Sequence, residues 1–235
     1  MSTTERFEVA VDGGAVPVFV SAPAEGAADL PGLVVIPSIF GPHDDLLAQM
    51  RSLADVGTIV VLDPFWRAPE PDAATNPHNT VAYADHERAI ARLGGFDFGA
   101  CVADVAAVAE WLKGRTNGRL AALGICFGGS FTLLGASSGL FEAAVTWHGS
   151  RMEGVLESLG DLPAGPFRFH YGDADPITPP DAIDAVRSHF ADHGDAEVIV
   201  HAGAEHGFSH EGAAWDPDAA AAGMADLRGA LVALA

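Results

Sequence analysis

The sequence predicts a single α/β domain over residues 1–235, with a mostly parallel β-sheet covered by helices on both faces. Three observations carry that expectation. Short unbroken apolar runs, such as Leu33-Val34-Val35-Ile36, have the pattern of strands buried on both faces. These runs alternate with segments of helical period, an order that favours parallel strands joined by right-handed crossovers. One strand-to-helix turn is built from glycines, Gly124-Ile125-Cys126-Phe127-Gly128-Gly129. At 235 residues and 49% hydrophobic content the chain supports a large core, and no Ser/Gly linker or internal repeat divides it.

In chain order, residues 5–11 and 15–22 read as a strand pair turning at Asp12-Gly13-Gly14. Residues 33–36 form a buried strand, Asp44 caps a helix over 45–54, and 58–62 form the next strand. Residues 64–77, rich in proline and aromatics, read as a long loop of the kind that often serves function. Helical patterns cover 79–93 and 99–113. Strand 120–125 leads through the glycine turn into helix 128–135. Strands follow at 143–147 and 167–171, a helix at 179–192, a strand at 197–201, and a last helix at 217–234 capped by Asp216.

The formal net charge of −20 repels phosphate backbones and anionic lipid, so neither nucleic acid nor a membrane surface is an expected partner. No apolar stretch is long enough for a membrane helix. The opening MSTTERFEVAV has no apolar signal core, so a cytoplasmic location is expected. The two cysteines, Cys101 and Cys126, are not needed as a bridge in a chain of this size, and Cys101 reads as a buried helical residue. His201, His206 and His210 lie close in sequence, but Gly203 and Gly207 break any helical spacing, so no metal is expected.

The glycine turn has the context of a nucleophile elbow. Cys126 stands at its apex, the Phe127 amide faces the place where an oxyanion would form, and the helix N-terminus favours a thiolate. Partners are expected downstream in the order acid, then histidine. Asp173 and Asp175 follow one strand and His206 follows the last. The histidine would handle the cysteine proton and the acid would orient the histidine. Gly135-Ala136-Ser137-Ser138-Gly139 also matches G-x-S-x-G, but it follows a helix and precedes a strand, the wrong context for an elbow.

With these residues in place, the chain resembles the dienelactone hydrolase (carboxymethylenebutenolidase) family over nearly its whole length. Gly124 to Gly129 is similar to that family's G-x-C-x-G-G motif, Ile39-Phe40-Gly41 to its loop after the third strand, and Asp63-Pro64-Phe65 to its stretch after the fourth. Asp175, with Pro179 after it, matches the family acid, and His206, two residues before Phe208, the family histidine. The resemblance implies a single-domain α/β-hydrolase fold and a Cys126-His206-Asp175 triad. It also implies the Ile39 amide as a second oxyanion donor, and cleavage of a small ester or lactone with no cofactor. The chain departs from the family at three places. Ser38 replaces an activating glutamate, His210 stands where an arginine grips substrate, and Trp147-His148 replace paired tyrosines. Arg88 lies in the region of a second substrate-gripping arginine.

The expected substrate pocket is lined by Ser38, Phe40, Phe65, Trp66, Arg88, Trp147, His148, Phe208 and His210, mostly apolar groups suited to an ester or lactone. A monomer or small homo-oligomer is expected. Two competing readings are a ligand-binding module on the same scaffold, motivated by Ser38, and a redox-reactive thiol protein.

Overall fold

The computed structural model describes residues 3–72 and 75–235. Strands β1 (Thr4–Val11) and β2 (Gly14–Ser21) form an antiparallel hairpin whose register runs to Val11 opposite Gly14. Only Asp12 and Gly13 turn the chain, and Gly13 does so at φ 79°, where glycine has no steric cost. The remaining strands are β3 (Gly32–Ile36), β4 (Thr58–Leu62), β5 (Leu120–Ile125), β6 (Ala143–Trp147), β7 (Phe167–Gly172) and β8 (Ala196–His201).

All eight join one sheet in the order β1-β2-β4-β3-β5-β6-β7-β8. The hairpin meets β4 antiparallel, and every pair from β4 through β8 is parallel. The chain steps from β3 outward to β4, then crosses back to place β5 on the other side of β3. The crevice at the carboxyl ends of β3 and β5 is therefore the point where the winding reverses, the place where parallel α/β sheets hold their ligands.

Helices α1 (Asp44–Arg51) and α6 (Pro217–Leu234) cover one face; α3 (Phe98–Lys113), α4 (Gly128–Ser137) and α5 (Pro180–His189) cover the other. Strand residues alternate between the two cores. Leu33 and Val35 pack toward α1 and α6, while Val34 and Ile36 pack toward α3 and α4. Double coverage explains why β3, β4 and β5 read as unbroken apolar runs. Asp216 caps α6 through the amides of Asp218 and Ala219.

Two expectations need correction. Asp44 opens α1 as its first residue instead of capping it, His43 holding the cap position. The helix expected over 79–93 is only α2 (His86–Ala91), followed by a 3-10 turn, Arg92–Gly95. Asn79 takes φ 54°, spends its side-chain amide on Asp63, and leaves the true helix start to Asp85, which caps the Arg88 amide. Among the described residues, no helix is long and apolar enough to cross a membrane.

Candidate active site

Cys126 directly follows β5 and precedes α4. Its φ of 56° is left-handed, a conformation that costs a side-chain-bearing residue about 1 kcal/mol or more. Close packing beneath the turn enforces it. A Cβ on Gly128 would sit 2.3 Å from the Ile36 carbonyl oxygen, and one on Gly124 would sit 2.5 Å from Thr132 Oγ1. The helix can therefore lie directly on β3 and β5 only with glycine at both positions. The Cys126 amide donates to the Trp147 carbonyl (3.1 Å), and its own carbonyl accepts the amides of Gly129 and Ser150 (3.1 Å each).

His206 lies in the loop after β8, and its Nε2 is 3.2 Å from Cys126 Sγ. Its Nδ1 is 2.8 Å from Asp175 Oδ2. The other Asp175 oxygen accepts the amides of Ile177 (2.7 Å) and Thr178 (3.1 Å). Of the two acids after β7, Asp175 is thus the one that reaches the histidine. Asp173 accepts the Gly203 amide at 2.6 Å and pins the neighbouring loop instead.

Burial pushes the Cys126 thiol up, but hydrogen bonding and charge from His206 outweigh it, helped by the Ser150 hydroxyl and the Phe127 amide. The thiol is held below its ordinary value. Burial also opposes charge on His206, yet Asp175 and Cys126 raise it to about 9. The two shifts favour the charged form of each group, thiolate on Cys126 and imidazolium on His206. Its histidine neighbours stay neutral: burial and repulsion by His206 hold His148 well below its ordinary value, and burial takes His210 to about 4.

The loop after β3 carries Ser38 and Ile39 to the same end of the sheet. Ser38 is buried, and the Ile39 carbonyl accepts Arg92 Nη1 at 3.0 Å. Phe40 stands edge-on to Tyr83, His86 and His210, and Phe65 packs against Phe127. His148 lies behind His206, ring centroids 4.7 Å apart, with Nε2 2.8 Å from Ser209 Oγ. His210 stacks on Tyr83 at 4.8 Å.

Four residues expected to line the pocket are placed elsewhere. Trp147 shares the parity of Val145 along β6, so its ring enters the α6-side core, where a Cβ on Gly223 would meet its Nε1 at 2.5 Å. Phe208 is fully buried in that same core, against His148 and His201. Trp66 leans on Gly14 of the hairpin and donates to Asp104 at 2.9 Å. Arg88 is engaged by Glu70 (2.6 Å) and Asp72 (3.2 Å).

Three residues near the site were not anticipated. Arg92, one helical turn past Arg88, is a side chain only 5% exposed that bonds the Ile39 and Asn79 carbonyls and pairs with Glu70. Its spacing from Arg88 was the available signal. Tyr83 bonds Asp45 and stacks between His43 and His210. Ser150 touches Cys126 Sγ at 3.6 Å and carries no sequence signal at all. A cleft of about 480 Å³ beside Tyr83 is lined by His43, Asp44, Asp45, His78 and Glu211, among others, and Cys126 is not part of its wall. Among the described residues, no group of three or more His, Cys, Asp or Glu is arranged to hold a metal ion.

The chain is 27% identical over 170 residues to the carboxymethylenebutenolidase of Pseudomonas putida, covering 72% of this chain and 70% of that protein. It is also 27% identical over 182 residues to carboxymethylenebutenolidase 1 of Cupriavidus pinatubonensis, covering 76% and 74%. Its fold superposes with TM-score 0.77 on a dienelactone hydrolase-like promiscuous phosphotriesterase from metagenomic libraries, at 23% identity over 99% of this chain and 98% of that one. The family model described as the dienelactone hydrolase family matches residues 16–229, a span that runs from β2 through most of α6 and includes the elbow, the acid turn and the histidine loop. With that span matched, the chain belongs to the dienelactone hydrolase family.

Proposed function

We propose that this protein hydrolyses a small, uncharged carboxylic ester or lactone, using Cys126 as nucleophile and passing through a thioester acyl-enzyme. The observation that carries the reading is the contact chain Cys126 Sγ–His206 Nε2 (3.2 Å) and His206 Nδ1–Asp175 Oδ2 (2.8 Å), set on a left-handed apex at the sheet's switch point.

In this reading the Cys126 thiolate forms a bond to the carbonyl carbon, and the carbonyl electrons move onto oxygen, facing the Phe127 and Ile39 amides. Collapse expels the alcohol, which takes its proton from the His206 imidazolium. The now neutral His206 removes a proton from water, hydroxide attacks the thioester, and the thiolate leaves to re-form the ion pair. Asp175 holds His206 in the tautomer that keeps Nε2 toward sulfur throughout. Ser38 has no carboxylate to accept the thiol proton, so His206 holds it instead, in line with the opposed shifts of the two groups. An uncharged substrate fits the setting. His210 is neutral at the position where the family's arginine grips a carboxylate, and Arg88 and Arg92 are engaged by carboxylates and carbonyls of the protein itself.

The test is hydrolysis of short p-nitrophenyl esters and a lactone panel by wild type, Cys126→Ala and Ser137→Ala. Ser137 Oγ accepts the Gly160 amide at 2.7 Å, a structural contact at the end of α4, so its variant is expected to retain full activity. Cys126→Ala is expected to lose activity by several orders of magnitude. Equal rates in wild type and Cys126→Ala would overturn the mechanism. Tight ligand binding without turnover in the wild type would point to a binding module.

A further inference from the structure

The turn that follows β6 touches His206 and Cys126 and is tied to the loop that holds Asp175. His148 places its ring edge against His206. The Gly149 carbonyl accepts Thr178 Oγ1 at 3.3 Å, tying the turn to the loop whose amides hold Asp175. Ser150 puts its hydroxyl 3.6 Å from Cys126 Sγ, within hydrogen-bonding distance of sulfur, while its amide donates to the Cys126 carbonyl at 3.1 Å. The turn contains two left-handed residues without the freedom of glycine, His148 at φ 39° and Arg151 at φ 56°. Strain of that kind persists only where the surroundings hold it. Ser150 is itself only 7% exposed, so its hydroxyl has little access to water.

We propose that Ser150 is a catalytic residue of this site, its hydroxyl donating a hydrogen bond to the Cys126 sulfur and stabilising it as the attacking and departing thiolate. The inference rests on the reading of Cys126 as the nucleophile. The imidazolium of His206 supplies one donor to the sulfur and the Phe127 amide lies toward it as well. Ser38, in the loop after β3, offers no charge. Behind His206 stand Asp175 and the neutral His148. Ser150 completes this set with a neutral donor, and a hydrogen bond to an anion is roughly twice as strong as one between neutral groups.

Ser150 exchanges no proton in either step. When Sγ bonds to the carbonyl carbon, its negative charge passes to the carbonyl oxygen and the contact with Ser150 weakens. When hydroxide has added to the thioester and the C–S bond breaks, the electron pair returns to sulfur and Ser150 takes up the anion again. A better-stabilised thiolate is the better leaving group, so the hydroxyl assists deacylation as well as the resting ion pair.

The experiment is an ultraviolet titration of the Cys126 thiolate, paired with alkylation by iodoacetamide, neither of which requires ester turnover. Burial pushes up the Cys101 thiol and the hydroxyls of Tyr83 and Tyr171, so the low-pH absorbance step belongs to Cys126, with Cys126→Ala as the blank. In Ser150→Ala the midpoint is expected to rise by about one pH unit, and alkylation below both midpoints to slow about threefold, the roughly tenfold loss of thiolate being partly offset by its greater nucleophilicity. Ser150→Thr and Ser150→Val are nearly isosteric and differ in the hydroxyl. The Thr variant is expected to titrate about one unit below the Val variant even if both pack less well than serine. Midpoints that coincide across either comparison would overturn the proposal. A Ser150-dependent midpoint with no hydrolysis of any ester would sink the hydrolase reading and with it the catalytic role of Ser150, leaving only its hydrogen bond to the thiolate. Cys126-dependent hydrolysis with a Ser150-independent midpoint would do the reverse.

Discussion

Asp175 meets His206 with one carboxylate oxygen and two backbone amides with the other: Oδ2 lies 2.8 Å from Nδ1, while Oδ1 accepts from Ile177 and Thr178. The carboxylate cannot rotate without losing amide partners. It therefore fixes the His206 tautomer as well as its charge. Asp175→Asn keeps the shape but must turn an N–H either toward Nδ1 or toward two amide donors. Its kcat is expected to fall between about a hundredfold and ten-thousandfold, with KM changed less than about threefold. Steady-state kinetics on the preferred ester decides the matter, and a kcat within about threefold of wild type would contradict the role.

The opposed shifts of Cys126 and His206 set a pH window. Cys126 lies below its ordinary thiol value, so the nucleophile of the proposed mechanism is present at a pH where a free cysteine is still protonated. His206 lies above its ordinary 6.5, at about 9, so in the proposed mechanism the acid that protonates the leaving alcohol is lost as pH rises through that value. The rate profile is expected to be a bell with its alkaline limb near 9, both limbs belonging to the coupled pair. The sign for stability follows from the same shift. Stability contributed by charged His206 is fully present below its ordinary 6.5 and lost as pH rises through about 9. A pH–rate profile with its alkaline limb near 6.5 would show that the ion pair does not form.

Arg92 holds the loop after β3 from behind. Its guanidinium bonds the Ile39 and Asn79 carbonyls, lies 3.9 Å from the centre of the Phe65 ring, and pairs with the buried Glu70. Arg92→Met removes one partner of a buried ion pair and is expected to cost about 3 kcal/mol in urea unfolding. It is also expected to lower kcat, because the Ile39 peptide loses its anchor. Arg88→Met touches the same Glu70 from a side chain 41% exposed and is expected to cost clearly less than Arg92→Met. Equal costs for the two variants would mean that burial does not separate their roles.

The layered fold was legible because burial on both faces writes itself into β3, β4 and β5 as continuous apolar runs, and because Gly124 and Gly128 stand where only glycine permits the helix to touch the strands. The order of Cys126, Asp175 and His206 at strand ends was legible for the same reason, since chain order and strand ends are sequence properties. The choice between Asp173 and Asp175 was different: the residues left it open, the family resemblance favoured Asp175, and the contact with His206 distinguishes them in space.

Among the aromatic residues, sequence proximity to a site did not amount to membership of it. Trp147 ends a strand beside the site, but strand parity sends its ring to the opposite core, and Phe208 follows it there. Arg88 and Arg92 are one turn apart, and which of them reaches the loop after β3 depends on where Asp85 starts α2 and how that short helix lies. Ser150 lies 24 residues from Cys126 in the chain, and only the pairing of β5 with β6 brings them together. By itself the sequence determined the sheet, the elbow and the order of the chemical groups, because local periodicity and glycine spacing encode them. The tertiary structure alone decided which side chains face the sulfur, because that depends on strand parity, helix direction and parallel pairing between distant segments.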